Sequence, residues 1–122
     1  MKILCVIFFL SLSLPIISKE TYNILFLGDS LTEGYGVPAE KAYPELVKKR
    51  LFTKLGKKVE IYNLGVSGST TSSGLTRLKW ITGQKKVNLM ILALGANDGL
   101  RGIPLEKSRQ NLVDIIRFAK EK

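Results

Sequence analysis

Three short stretches hold the residues best suited to chemistry: "GDSLTEG" from Gly28 to Gly34, "NLGVSGST" from Asn63 to Thr70, and "LGANDG" from Leu94 to Gly99. The first combines a hydroxyl, Ser30, with a preceding acid, Asp29, on a glycine-bearing turn directly after the apolar run Ile24 to Leu27. Ester cleavage needs a nucleophile exposed on a tight turn with its own amide free, and a strand-to-helix junction supplies both. It also needs donors aimed at the oxyanion of the tetrahedral intermediate, each worth roughly 3 kcal/mol of barrier in a dry site. The Ser30 amide, the Gly68 amide and the Asn97 side chain are the candidate donors, while Gly28 and Gly95 let their loops bend and approach. Each residue also has a purely structural reading. Ser30 caps a helix beginning near Thr32, Gly68 serves a turn needing positive φ, and Asn97 or Asp98 caps the segment before Pro104. Glu33, three residues after Ser30, fits the second half of a capping box.

The elements that must position these turns are legible as alternating periodicities. Asn23 to Leu27 reads as a buried strand, and Val59 to Tyr62 as a second. Val87 to Leu94, apolar except at Asn88, reads as a third, covered on both faces as in a parallel sheet. Between them, Glu40 to Leu55 places Tyr43, Leu46, Val47, Leu51 and Leu55 at helical spacing, with Pro44 in the first turn and Gly56 as a stop. Thr70 to Trp80 reads as a helix capped by Thr70 or Thr71, with Leu75 and Leu78 inward and Trp80 in the core. Pro104 to Lys120 reads as a third helix, apolar at Leu105, Leu112, Ile115, Ile116 and Ala119. The order β-α-β-α-β-α predicts a parallel sheet with helices on both faces, joined by right-handed crossovers. Ligands of such sheets gather outside the carboxyl ends of the strands, where all three polar turns fall.

These residues resemble a known family. "GDSLTEGYG", the Gly68 turn and "GAND" are similar to blocks I, II and III of the SGNH (GDSL) hydrolases. The likeness is closest to the thioesterase I/arylesterase/lysophospholipase branch, and "GANDGLRG" from Gly95 to Gly102 carries it further. The resemblance spans about residues 22 to 120. It implies a three-layer α/β/α flavodoxin-like fold, Ser30 as nucleophile, and an oxyanion hole of Ser30, Gly68 and Asn97. Gly28, Asp29, Gly95 and Asp98 would then be supporting turn residues. It also implies small acyl ester or thioester substrates, with no metal or organic cofactor.

One departure from the family matters. Its fourth block, Asp-x-x-His, supplies the general base, and this chain contains no histidine. A serine hydroxyl is a weak nucleophile near neutral pH without a base, and no lysine here has a sequence context that predicts burial. Three of about five expected strands are present, and the chain stops as the third helix finishes. The expectation is an amino-terminal part of the domain, residues 19–122, with negligible turnover alone. The competing expectation is a non-catalytic acyl- or glycan-binding relative. A flavin or phosphate binder is disfavoured by the lack of a Walker lysine or G-x-G-x-x-G.

Residues 1–18 read as a secretory signal peptide: one positive charge, an apolar run from Ile3 to Leu10, and a polar exit. The competing reading is an amino-terminal membrane anchor, for which Ile3 to Ile17 falls a little short of a full span. That predicts a periplasmic or secreted protein, monomeric, touching a membrane only through the uncleaved segment. Cys5 is the single cysteine, so no internal disulfide forms. The net charge is +9, and removing residues 1–18 takes away only Lys2, so 19 basic and 10 acidic residues become 18 and 10, a net +8. The lysines are scattered without interleaved aromatics, which predicts a solvated basic surface and no nucleic-acid partner.

Overall fold

The computed structural model describes residues 21–55 and 58–122; the expected signal segment and the expected helix stop at Gly56 lie outside the described residues. Three parallel strands form one sheet in the order β2-β1-β3, with β1 at Tyr22–Gly28, β2 at Val59–Gly65 and β3 at Leu89–Ala93. β1 is the central strand, and Ile24 to Leu27 are all buried. Its side chains alternate between two cores. Ile24 and Phe26 join Val59 and Ile61 beneath α2 (Tyr43–Leu55), through Val47 and Leu51. Leu25 and Leu27 join Leu78, Ile81 and Ile115, contributed by α3 (Gly74–Thr82) and α5 (Leu105–Lys120) on the other face. Helices therefore cover both faces, as the element order predicts.

The crossover through α2 runs from β1 to β2, and the next runs back past β1 to β3. The direction of winding reverses between β1 and β3. That switch point is where ligands of open parallel sheets bind. The register sets the loops level: Gly28 pairs with Gly65 on one side and with Ala93 on the other.

Several expectations need correction. Trp80 is 58% exposed, on the outer side of α3, and is no part of the core. Leu46, Leu105 and Ile116 are also exposed, because the buried stripes of their helices are narrower than the apolar spacing suggested. Pro44 does sit in the first turn of α2, preceded by a separate 3-10 turn at Ala39–Lys41. The second helix splits into a 3-10 turn, Thr71–Ser73, and α3, and neither Thr70 nor Thr71 caps it through its side chain. Among the described residues β3 has one paired neighbour, Met90 to Leu92 are half-buried and Leu89 and Ala93 are exposed, so it is less covered than expected.

Candidate active site

Ser30 is the first residue of α1 (Ser30–Glu33), directly behind the end of β1. The cap is Asp29: its Oδ1 accepts from the Leu31 amide at 3.0 Å. That leaves the Ser30 hydroxyl uncommitted, and among the described residues it has no hydrogen-bond partner. The Ser30 amide, one of the orphan donors that begin any helix, likewise donates to no described group. Gly28 is required by proximity. A Cβ there would lie 1.9 Å from Thr32 Oγ1, which bonds the Tyr43 hydroxyl at 3.0 Å.

The second loop turns at Gly68, whose φ of +73° is the left-handed conformation that glycine adopts at little cost. Ser69 N donates to Val66 O at 3.1 Å to close this turn, and the Gly68 amide donates to no described group. Both neighbours of Gly68 are tied down. Ser67 donates to Glu33 Oε2 through its amide at 2.8 Å, and through its hydroxyl as well. Ser69 O accepts from Asn97 Nδ2 at 2.9 Å. Glu33 thus bridges α1 to the second loop. It cannot complete a capping box, because with Asp29 as cap the third helical residue is Thr32. Asn63 adds a second tie, donating to Thr32 O at 2.8 Å and accepting from Gly65 N at 2.9 Å.

The third loop is a short helix, α4 (Ala96–Leu100), that sequence periodicity could not register in five residues. Gly95, at φ +126°, begins it. Asn97 points its carboxamide at Ser69 O and keeps a second N–H. Asp98 is 2% exposed and accepts from Thr71 N at 2.8 Å, Thr71 Oγ1 at 2.6 Å and Ser108 Oγ at 2.9 Å. Burial pushes this carboxyl up, but the hydrogen bonds outweigh it and hold it below the ordinary carboxylate range. Asp98 is therefore a pin between the second loop, the third loop and α5; it takes the first amide of the Thr71–Ser73 turn and does not cap the helix after Pro104. Arg101 closes the arrangement by donating from Nη2 to Gly68 O at 2.8 Å.

Ser30, Gly68 and Asn97 accordingly sit on three loops that leave the sheet at one level and are cross-linked in sequence: α1 to Ser67, Ser69 to Asn97. Sequence reading missed Glu33 as a bridge, Arg101 as a brace, and Arg77. From α3, Arg77 donates to the carbonyls of Gly28 at 3.0 Å and Leu64 at 2.5 Å. Burial lowers its pKa, while attraction to Asp29 raises it. A cavity of about 440 Å³ opens beside the third loop between Gly95 and Leu105, Leu112 and Val113. A second, of about 660 Å³, runs along the outer side of β3, away from Ser30. Among the described residues no group of three His, Cys, Asp or Glu side chains gathers to hold a metal.

The sequence matches the model of the GDSL-like lipase/acylhydrolase family over residues 26–122. An arylesterase of Vibrio mimicus is 38% identical over 120 residues, covering 98% of this chain and 58% of that protein. The thioesterase 1/protease 1/lysophospholipase L1 of Escherichia coli (strain K12) is 36% identical over 98 residues, 80% of this chain and 45% of that protein. The crystal structure of AlinE4, an SGNH-hydrolase family esterase, superposes with a TM-score of 0.78 at 39% identity. That superposition covers 84% of this chain and 55% of AlinE4. The chain spans about half the length of the curated relatives it matches. With its fold, its three cross-linked loops and this family match together, the chain belongs to the GDSL-like lipase/acylhydrolase family.

Proposed function

We propose that this chain carries the acyl-transfer centre of a serine esterase or thioesterase acting on small acyl esters, with Ser30 as nucleophile. The observation that supports it most is the bracketing of Gly68. Ser67 is held by the helix that bears Ser30, and Ser69 by Asn97, while the Ser30 and Gly68 amides remain uncommitted. In the reaction, Ser30 Oγ attacks the acyl carbon and the carbonyl oxygen becomes an oxyanion. The Ser30 and Gly68 amides and the second N–H of Asn97 receive that charge. Collapse expels the alcohol or thiol, and water then releases the acid from the acyl-serine.

The proton on Ser30 Oγ needs an acceptor, and no histidine is present in these 122 residues. The chain alone is expected to turn over negligibly. The reading needs no cofactor, and takes the protein as a monomer placed in the periplasm or outside the cell by residues 1–18. The competing reading is a non-catalytic acyl- or glycan-binding relative, in which the Ser30 hydroxyl attacks nothing.

External imidazole separates the two. A proton acceptor added to the purified chain is expected to give p-nitrophenyl acetate hydrolysis above the imidazole-only background, and Ser30→Ala is expected to return the rate to that background. Equal rates for wild type and Ser30→Ala would remove Ser30 from the mechanism and leave the binding reading.

A further inference from the structure

The inference here rests on the reading of Ser30 as nucleophile and concerns a residue outside the three motif turns. Arg77 sits on α3, on a helix whose other basic residue, Lys79, is exposed. A guanidinium on such a helix normally reaches water. This one turns inward beneath the junction of the first two loops. Its Nη1 spans two strand ends at once, donating to Gly28 O and Leu64 O, and its Nη2 lies 3.4 Å from Ser73 Oγ. Its Nε is buried and has no partner among the described residues. Burying a guanidinium with one donor unmatched is unfavourable in itself. A basic residue kept there for packing alone would be better replaced by methionine or leucine.

The two carbonyls explain what the charge does. Gly28 lies two residues before Ser30, and Leu64 two before Val66, at the mouth of the Gly68 turn. Both carbonyl oxygens carry partial negative charge, and Asp29, whose carboxylate attracts the guanidinium, lies between Gly28 and Ser30 in the chain. We propose that Arg77 is a positioning residue for acyl transfer: it clamps the ends of β1 and β2 at a fixed separation and balances the charge of Asp29. The planar guanidinium suits this role because two N–H groups on one nitrogen diverge toward two acceptors, which a flexible ammonium does less rigidly. The clamp sets the spacing between the Ser30 amide and the Gly68 amide. An error of about 1 Å in such spacing lowers rates on the order of a hundredfold.

The test uses the whole 122-residue chain with imidazole as the external base. Arg77→Met, which keeps the stem volume and removes the charge, is expected to lower the Ser30-dependent maximal rate by about a hundredfold with KM little changed. Arg77→Lys is expected to recover only part of that rate, since an ammonium restores the charge but holds the two carbonyls less rigidly. Amide exchange at Val66, whose N–H bonds Gly28 O at 3.3 Å, is expected to quicken in Arg77→Met and less in Arg77→Lys. A folded Arg77→Met with the wild-type maximal rate overturns the proposal. So does a rate loss that is equal in both variants and tracks their melting temperatures. Should wild type show no Ser30-dependent rate, the nucleophile reading fails by itself. Val66 exchange then decides the clamp, and unchanged exchange in Arg77→Met overturns it.

Discussion

Asp98→Ala is expected to lower the free energy of unfolding by about 3 kcal/mol or more, since each buried donor left without an acceptor is worth about 1–3 kcal/mol. Three donors lose their acceptor together: the Thr71 amide, the Thr71 hydroxyl and the Ser108 hydroxyl. Asn111, which donates to Thr71 Oγ1 at 2.9 Å, loses its orientation with them. Against a typical total of about 5–15 kcal/mol, that is a large fraction. Asp98→Asn offers one acceptor oxygen and presents N–H to the remaining donors, so it is expected to recover little. Urea unfolding followed by circular dichroism measures both; fluorescence of the exposed Trp80 would report poorly. The same carboxylate gives a pH signature. Its folded-state pKa is lowered, so the unfolded chain binds the proton more readily, and stability rises with pH across the window. Its contribution is complete above the unfolded carboxylate value, about 3.9, and is lost as pH falls below it through the folded value. Asp98→Asn is expected to lack that loss.

Gly65→Ala is expected to be nearly as damaging, and to act on the site directly. A Cβ at Gly65 would stand 2.0 Å from Glu33 N, 2.5 Å from Thr32 C and 2.6 Å from Glu33 Cα. All three atoms are backbone, so no rotamer change relieves the overlap. Either α1 lifts away from β2 or the pairing of Gly28 with Gly65 breaks. Overpacking of this kind typically costs about 1–3 kcal/mol, and a backbone clash belongs at the upper end. Lifting α1 also pulls Glu33 from Ser67 and moves Ser30, so imidazole-dependent hydrolysis should disappear even in the folded fraction. Gly83→Ala is the matched control. Its nearest atoms lie at 3.4 Å, its φ is −74°, and its melting temperature should stay near that of wild type.

What could be read from sequence follows from where the physics is local. The three strands were legible because apolar runs ending in glycine-bearing polar turns have few other uses, and the parallel sheet with helices on both faces followed from the βα alternation; the order β2-β1-β3 is visible only in the fold. The turns bearing Ser30, Gly68 and Asn97 were legible for the same reason. Long-range side-chain bonds were not. Glu33 stands three residues from a serine and so imitates a capping box, but the cap lies one residue earlier and its carboxylate crosses to Ser67. Asn63 to Gly65 extend β2 beyond its apolar run, because they stay paired with Phe26 to Gly28 of β1, while the Asn63 side chain bonds the Thr32 carbonyl across the loop. Arg77 reads as one more solvated base on a helix face, since only the fold shows two strand-end carbonyls beneath it. Trp80 is the opposite case: its size and apolar character suggest the core, yet its place on α3 faces away from the buried Leu78 and Ile81.

On the acyl-transfer reading Ser30, Gly68 and Asn97 form one oxyanion-stabilising centre. Its most direct measurement is nitrogen-edited NMR of the chain after treatment with a p-nitrophenyl alkylphosphonate in imidazole buffer, where the phosphonyl oxygen stands in for the oxyanion. A single adduct on Ser30 is expected by mass spectrometry, with downfield shifts of the Ser30 and Gly68 amide protons and of the Asn97 carboxamide. An adduct on another residue, or a Ser30 adduct that leaves Gly68 and Asn97 unshifted, would contradict it.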